Sequence, residues 1–162
     1  MNVIACDPGE HTGLVLYYLG SDKNYHARRP AMFRIVSKKG ALGMHDWFSQ
    51  VCSKYDPMKL VIEHQFARPG RSMSGLIGLA RNAGAAHHEA RCRGIEIIMV
   101  KPSDWKAPVI DGLGGRWRDP PEEKDALIYN RACEILGVPP FSQDVADATL
   151  IGHWYLNPGI YL

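Results

Sequence analysis

No apolar stretch in the 162 residues reaches the roughly 18 that a membrane-spanning helix requires. The opening, MNVIACDPGE, lacks the basic start and apolar core of a secretory leader. The protein is therefore expected to work in the cytoplasm, or in a host's cytoplasm for a phage-encoded chain. Cysteine is sparse: Cys6, Cys52, Cys92 and Cys133 stand about forty residues apart, with no Cys-x-x-Cys pair. That spacing excludes the usual zinc ribbon and the small disulfide scaffold. They are expected to be small buried hydrophobes in a reducing compartment. His11, His64, His87, His88 and His153 have no zinc spacing either. There is no low-complexity tract, no internal repeat and no large excess of one charge, the net value being only +2.

What is present suits one globular α/β domain over residues 1–162. Hydrophobic residues make up 46% of the chain, enough for a proper core. The basic residues are unevenly placed. Residues 64–118 hold nine Lys/Arg against four acids, leaving ten against thirteen elsewhere. A basic middle is compatible with a polyanionic partner, and equally with ordinary surface charge.

Apolar runs at 2–7, 13–19, 31–36, 59–63 and 95–100 read as strands bounded by turn residues. Residues 41–55 show helical spacing through Trp47, Phe48, Val51, Cys52 and Tyr55. A second helix, 72–93, is full of small residues, among them Gly75, Gly78, Ala83, Gly84 and Ala86. Glycine costs about 1 kcal/mol per helix position, so another backbone is expected to approach closely, such as that of a second subunit. Ser103 or Asp104 is placed to cap a short helix carrying Trp105 and Lys106. A Gly- and Arg-rich loop spans 112–121. A helix from Pro121 ends at Gly137, and a last helix covers 143–156. The order βββ-α-β-α-β-α-α-α predicts a five-stranded mixed sheet, its first three strands antiparallel, with helices on both faces.

Four acids fall at the ends of these elements. Asp7 closes the first strand, Glu63 the fourth, and Asp144 and Asp147 share a face at the start of the last helix. Each has a plain alternative: a turn at Asp-Pro-Gly, a strand-end surface acid, a capping box. Brought together they would repel one another strongly, and a hard divalent cation would relieve that.

The combination resembles the RuvC family of Holliday-junction resolvases, members of the RNase H-like superfamily. The resemblance rests on IACDPGEHTGLVL, LVIEHQFARPGRSMSGLIGLARNAGAA and DVADATLIGHWYL, spread over nearly the whole chain. It implies an RNase H-like fold and catalytic, metal-binding acids at Asp7, Glu63, Asp144 and Asp147. It also implies a two-metal Mg2+ site in which Mn2+ can substitute, a homodimer, and paired nicks across four-way DNA junctions. Phe66 matches the family's stacking aromatic. Lys106 and Lys124 fall near basic positions used against the scissile backbone, with Lys106 assigned to catalysis. Arg68, Arg71, Arg116 and Arg118 lie in adjoining loops and are expected at phosphates. The loop at 112–121 departs from the bacterial cellular pattern, which suggests a phage or viral branch. His64 beside Glu63 is weighed as a proton carrier, although strand alternation turns it to the other face.

Three other readings compete. The same acids could serve an RNase H-like nuclease acting on other branched DNA or RNA–DNA hybrids. Asp-x-Gly with Thr12-Gly13 also resembles a phosphate loop of the actin and sugar-kinase superfamily, which needs two such domains. The third is a DNA-binding protein without catalysis, against which the presence of all four acids counts.

Overall fold

Short strands buried on both faces set the architecture. In a computed structural model, which describes residues 1–9, 11–18, 29–36, 41–64 and 72–161, the strands are β1 (Val3–Asp7), β2 (Thr12–Tyr18), β3 (Arg29–Val36), β4 (Lys59–Glu63) and β5 (Glu96–Val100). They form one mixed sheet in the order β3-β2-β1-β4-β5. The β1–β2 and β2–β3 pairs are antiparallel, and the β1–β4 and β4–β5 pairs are parallel. The helices are α1 (Ala41–Tyr55), α2 (Met73–Cys92), α3 (Pro102–Gly112), α4 (Pro121–Leu136) and α5 (Gln143–Leu156).

Successive strand residues point to opposite faces, and two cores result. Ile4, Cys6, Leu14, Leu16, Leu60 and Ile62 pack with Trp47, Phe48 and Val51 of α1 and Ala86 and Ala90 of α2. Val3, Ala5, Val15, Tyr17 and Val61 pack with Trp105, Val109, Ile128, Val145 and Ile151 of α3, α4 and α5. β1, at the centre, is buried on both sides, which is why it reads as an uninterrupted apolar run.

α5 is the helix most deeply set into the sheet. Every residue from Val145 to Gly152 is buried. Two glycines allow this approach. A Cβ on Gly152 would collide with the Tyr17 ring, and one on Gly13 with the Asp144 main-chain carbonyl. Tyr17 then donates its hydroxyl to the Thr149 carbonyl at 2.5 Å, fixing the helix along β2.

Some local expectations need correcting. α3 is capped at Lys101 with Pro102 at its first position, so neither Ser103 nor Asp104 is the cap. Asp104 instead accepts the Lys101 N–H at 3.3 Å from three residues inside. Proline at the first helical position, where no N–H is needed, moves the start upstream. Only Cys6 is fully buried: Cys52 and Cys133 are half-buried and Cys92 is exposed. Gly137 does end α4 in the left-handed conformation, at φ 73°. Among the described residues no helix is long and apolar enough to cross a membrane.

Candidate active site

Asp7 continues the side-chain alternation of Val3 and Ala5, and Glu63 that of Val61. Both therefore face α5. Cys6 lies opposite Ile62 in the parallel β1–β4 pair, so the next residue of each strand, Asp7 and Glu63, leaves the sheet at the same edge. Asp7 is also opposite Gly13, the residue against which the first turn of α5 rests. The sheet and one helix start thus meet at a single point.

The start of α5 is capped by Ser142, whose Oγ accepts the Val145 N–H at 3.2 Å. Neither aspartate is the N-cap, and both project toward the strand ends. Asp144 Oδ2 accepts the backbone N–H of His11 at 3.1 Å. Its carboxylate also lies where a Cβ on Gly9 would be, so the Asp-Pro-Gly turn is shaped around it. Asp147 accepts Gln143 Nε2 at 2.8 Å and Lys106 Nζ at 3.0 Å.

The electrostatics match this convergence. Asp7 is 6% exposed and Asp147 8%. Burial raises the Asp7 pKa well above the ordinary carboxylate value, and the charges of Glu63, Asp147 and Asp144 raise it further, against a lowering by Lys106. Asp147 is also raised, by burial first, although Lys106 and Gln143 pull it down. Burial would lower the Lys106 ammonium, but Asp147, Asp125 and Glu63 carry it above the usual lysine value. Lys106 is a resident cation in a nest of acids.

Three residues join the site that sequence reasoning missed. Trp105 donates its indole N–H to Glu63 Oε1 at 3.0 Å. Gln143 holds Asp147, and Asp125 of α4 lies 3.4 Å from Lys106 Nζ. A signal existed for Trp105: a buried indole needs an acceptor. Nothing local pointed to Asp125, which reaches the site only because α4 packs beside α3.

The remaining candidates are placed differently. Phe66, Arg68 and Arg71 lie outside the described residues. Arg116 and Arg118 are exposed on the loop between α3 and α4. Lys124 is turned to that loop: its Nζ donates to the Trp117 carbonyl at 2.9 Å and sits 5.0 Å from the Trp117 ring centroid. His64 donates its backbone N–H to Val100 at 2.7 Å. His153 pairs through Nδ1 with the Tyr161 hydroxyl at 2.7 Å, and burial with Arg131 lowers its pKa to about 4.

As placed, no three His, Cys, Asp or Glu side chains among the described residues are grouped to hold a metal ion. The donor set is nevertheless of the right kind. Hard carboxylate oxygens suit Mg2+ or Mn2+, and a divalent charge would relieve the repulsion that holds Asp7 toward its protonated form.

A RuvC crossover junction endodeoxyribonuclease of Leifsonia xyli is 30% identical over 126 residues, 76% of this chain and 55% of the relative. The chain thus spans about half the length of the curated relative it matches. No family model matches. Among solved structures, T. thermophilus RuvC in complex with a Holliday junction substrate superposes with a TM-score of 0.68 at 20% identity, over 99% of this chain and 98% of that one. The Fowlpox virus resolvase in complex with substrate Holliday junction DNA gives 0.51 at 13% identity, over 96% and 99%. At those identities the structures speak for a shared fold.

Proposed function

We propose that the chain belongs to the RuvC family and is a metal-dependent endonuclease that nicks four-way DNA junctions. What supports this reading is that Asp7 and Glu63 leave the sheet at one edge beside the start of α5, with burial first, and then the charges of Glu63, Asp147 and Asp144, raising Asp7. We read residues 1–162 as one nuclease domain acting in the cytoplasm, where its DNA substrate lies.

The four carboxylates would hold two Mg2+ ions, with Mn2+ able to substitute. Such ions activate a water and steady the leaving oxygen in phosphodiester hydrolysis, leaving 5′-phosphate ends. The protein's own part is positional. Asp7, at the end of β1, would be one of the metal ligands. Trp105 fixes the rotamer of Glu63. Gln143 and the backbone N–H of His11 aim Asp147 and Asp144. Lys106, beside Asp147, would neutralise the scissile phosphate, and Asp125 gives its ammonium a second anchor. Phe66, Arg68, Arg71, Arg116, Arg118 and Lys124 are proposed DNA contacts.

Paired nicks need two sites, and α2 is the proposed homodimer face. Its glycines support this: a Cβ on Gly78 or Gly84 would meet nothing within 4 Å. Packing inside the chain therefore gives no reason for glycine there. Met73 and Ile77, 71% and 46% exposed, flank the same stretch.

The deciding experiment offers four-way junctions, flaps, forks, RNA–DNA hybrids and linear duplex with Mg2+, Mn2+ or Ca2+. Junctions should be cut fastest, with Mg2+ or Mn2+. Linear duplex cut at an equal rate would remove the junction-resolving reading and leave a general nuclease.

A further inference from the structure

The loop between α3 and α4 carries an indole that the fold does not use. Trp47 and Trp105 are buried, whereas Trp117 is 49% exposed between the exposed Arg116 and Arg118.

The loop is tied down on both sides. The Asp119 carboxylate accepts the Arg116 N–H at 2.6 Å, and the Asp119 N–H returns to the Arg116 carbonyl at 2.9 Å. Lys124 of α4 holds the Trp117 carbonyl and lies over its ring. Gly115 is pressed against the body: a Cβ there would stand 2.6 Å from Leu127 and 2.9 Å from Ile110. A fixed, half-open indole with cations before, behind and over it is suited to a planar group on an anionic chain. Aromatic platforms flanked by basic residues bind unpaired bases in this way, sequence-tolerantly, because every base has a π-face.

The position relates it to the acids. Lys124 is followed by Asp125, whose carboxylate lies 3.4 Å from Lys106 Nζ, and that ammonium lies 3.0 Å from Asp147. The loop and the acids are thus tied to adjacent residues of α4, and a DNA strand with a phosphate at the acids that ran along α4 would reach the loop.

We propose that Trp117 is a stacking platform for an unpaired nucleobase beside the scissile phosphate, with Arg116 and Arg118 on the neighbouring phosphates. The inference rests on the nuclease reading above. It adds a base contact separate from Phe66.

The test uses Asp7→Asn protein, expected to hold DNA without cutting it, in Ca2+. Four-way junctions carry 2-aminopurine at successive positions around the exchange point. Quenching is expected at one or two positions. Trp117→Phe should keep most of it, while Trp117→Ala should lose it and bind the junction roughly five-fold or more weaker. Arg116→Ala should weaken binding and flatten its salt dependence while leaving the quench in place. Quenching unchanged by Trp117→Ala, with affinity within about two-fold, overturns the platform. If the unsubstituted protein also cuts junctions, the nuclease reading stands without it. If it neither binds nor cuts branched DNA, both fall.

Discussion

At the residue scale the site stores unfavourable charge. Asp7 binds its proton more tightly in the folded chain than in the unfolded one, because burial and three neighbouring acids oppose its ionisation. Folded-state stability therefore falls as pH rises from the ordinary carboxylate pKa through the raised value of Asp7. Asp147 is raised and acts with the same sign. Thermal melting in a chelator should give a higher Tm near about pH 5 than near about pH 8. Mg2+, binding only the folded chain, should narrow the gap. Asp7→Asn removes the charge and keeps the shape. It should abolish junction cleavage, leave binding within a few-fold, and raise the chelator Tm by about 2–4 °C, equivalent to about 1 kcal/mol. Undiminished cleavage by this variant would end the active-site assignment.

Trp105 gives a second residue-scale prediction. Phenylalanine keeps most of the buried ring and loses the N–H that meets Glu63. A hydrogen bond to a charged group is worth about 1.5–3 kcal/mol, so Trp105→Phe should cost roughly ten-fold or more in kcat. Junction affinity should barely move. Equal losses in affinity and kcat would point to general misfolding instead, as a melting curve would show.

At the element scale the decisive unit is α5, held against β1 and β2 by two absent side chains. Gly13→Ala and Gly152→Ala each force the helix outward, and overpacking of this kind costs about 1–3 kcal/mol. Both should lower Tm. They should differ in activity. Gly13 rests against the carbonyl of Asp144 itself, whereas Gly152 meets Tyr17 about two helical turns further along. Gly13→Ala is expected to lose cleavage out of proportion to stability, and Gly152→Ala to lose mainly stability. The opposite ranking in paired melting and cleavage assays would place the acids' support elsewhere than the β1–β2 turn.

At the scale of the whole molecule, both sheet faces are covered and the acids open at one sheet edge. Along the sequence, the basic middle falls between the carboxylates: Glu63 precedes it, while Asp7 and the Asp144/Asp147 pair come from the chain's two ends. Of that stretch, folding brings Lys106 of α3 to the acids, 3.0 Å from Asp147. The proposed dimer belongs to this scale. Ile77→Glu puts a charge on the exposed face of α2, where the chain makes no packing demand of its own. Sedimentation should show monomers for this variant, and junctions should be nicked on one strand without the paired second cut. A variant that sediments as a dimer and cuts both strands would move the interface away from α2.

The sequence by itself determined the element order, the strand ends carrying Asp7 and Glu63, and the spacing of Asp144 and Asp147, since these follow from local periodicity and turn chemistry. It left open whether an acid capped α5, because Asp144-x-x-Asp147 also reads as a capping box. Only the tertiary structure decided that Ser142 is the cap and that Asp144 turns to the His11 N–H and Asp147 to Lys106 and Gln143. It also decided that Trp105 holds Glu63 from 42 positions away, that Asp125 shares Lys106, and that Gly13 and Gly152 exist to admit a helix from the far end of the chain. A hydrogen bond or a collision depends on distances of a few ångströms between segments far apart in sequence, and no periodicity within either segment encodes them.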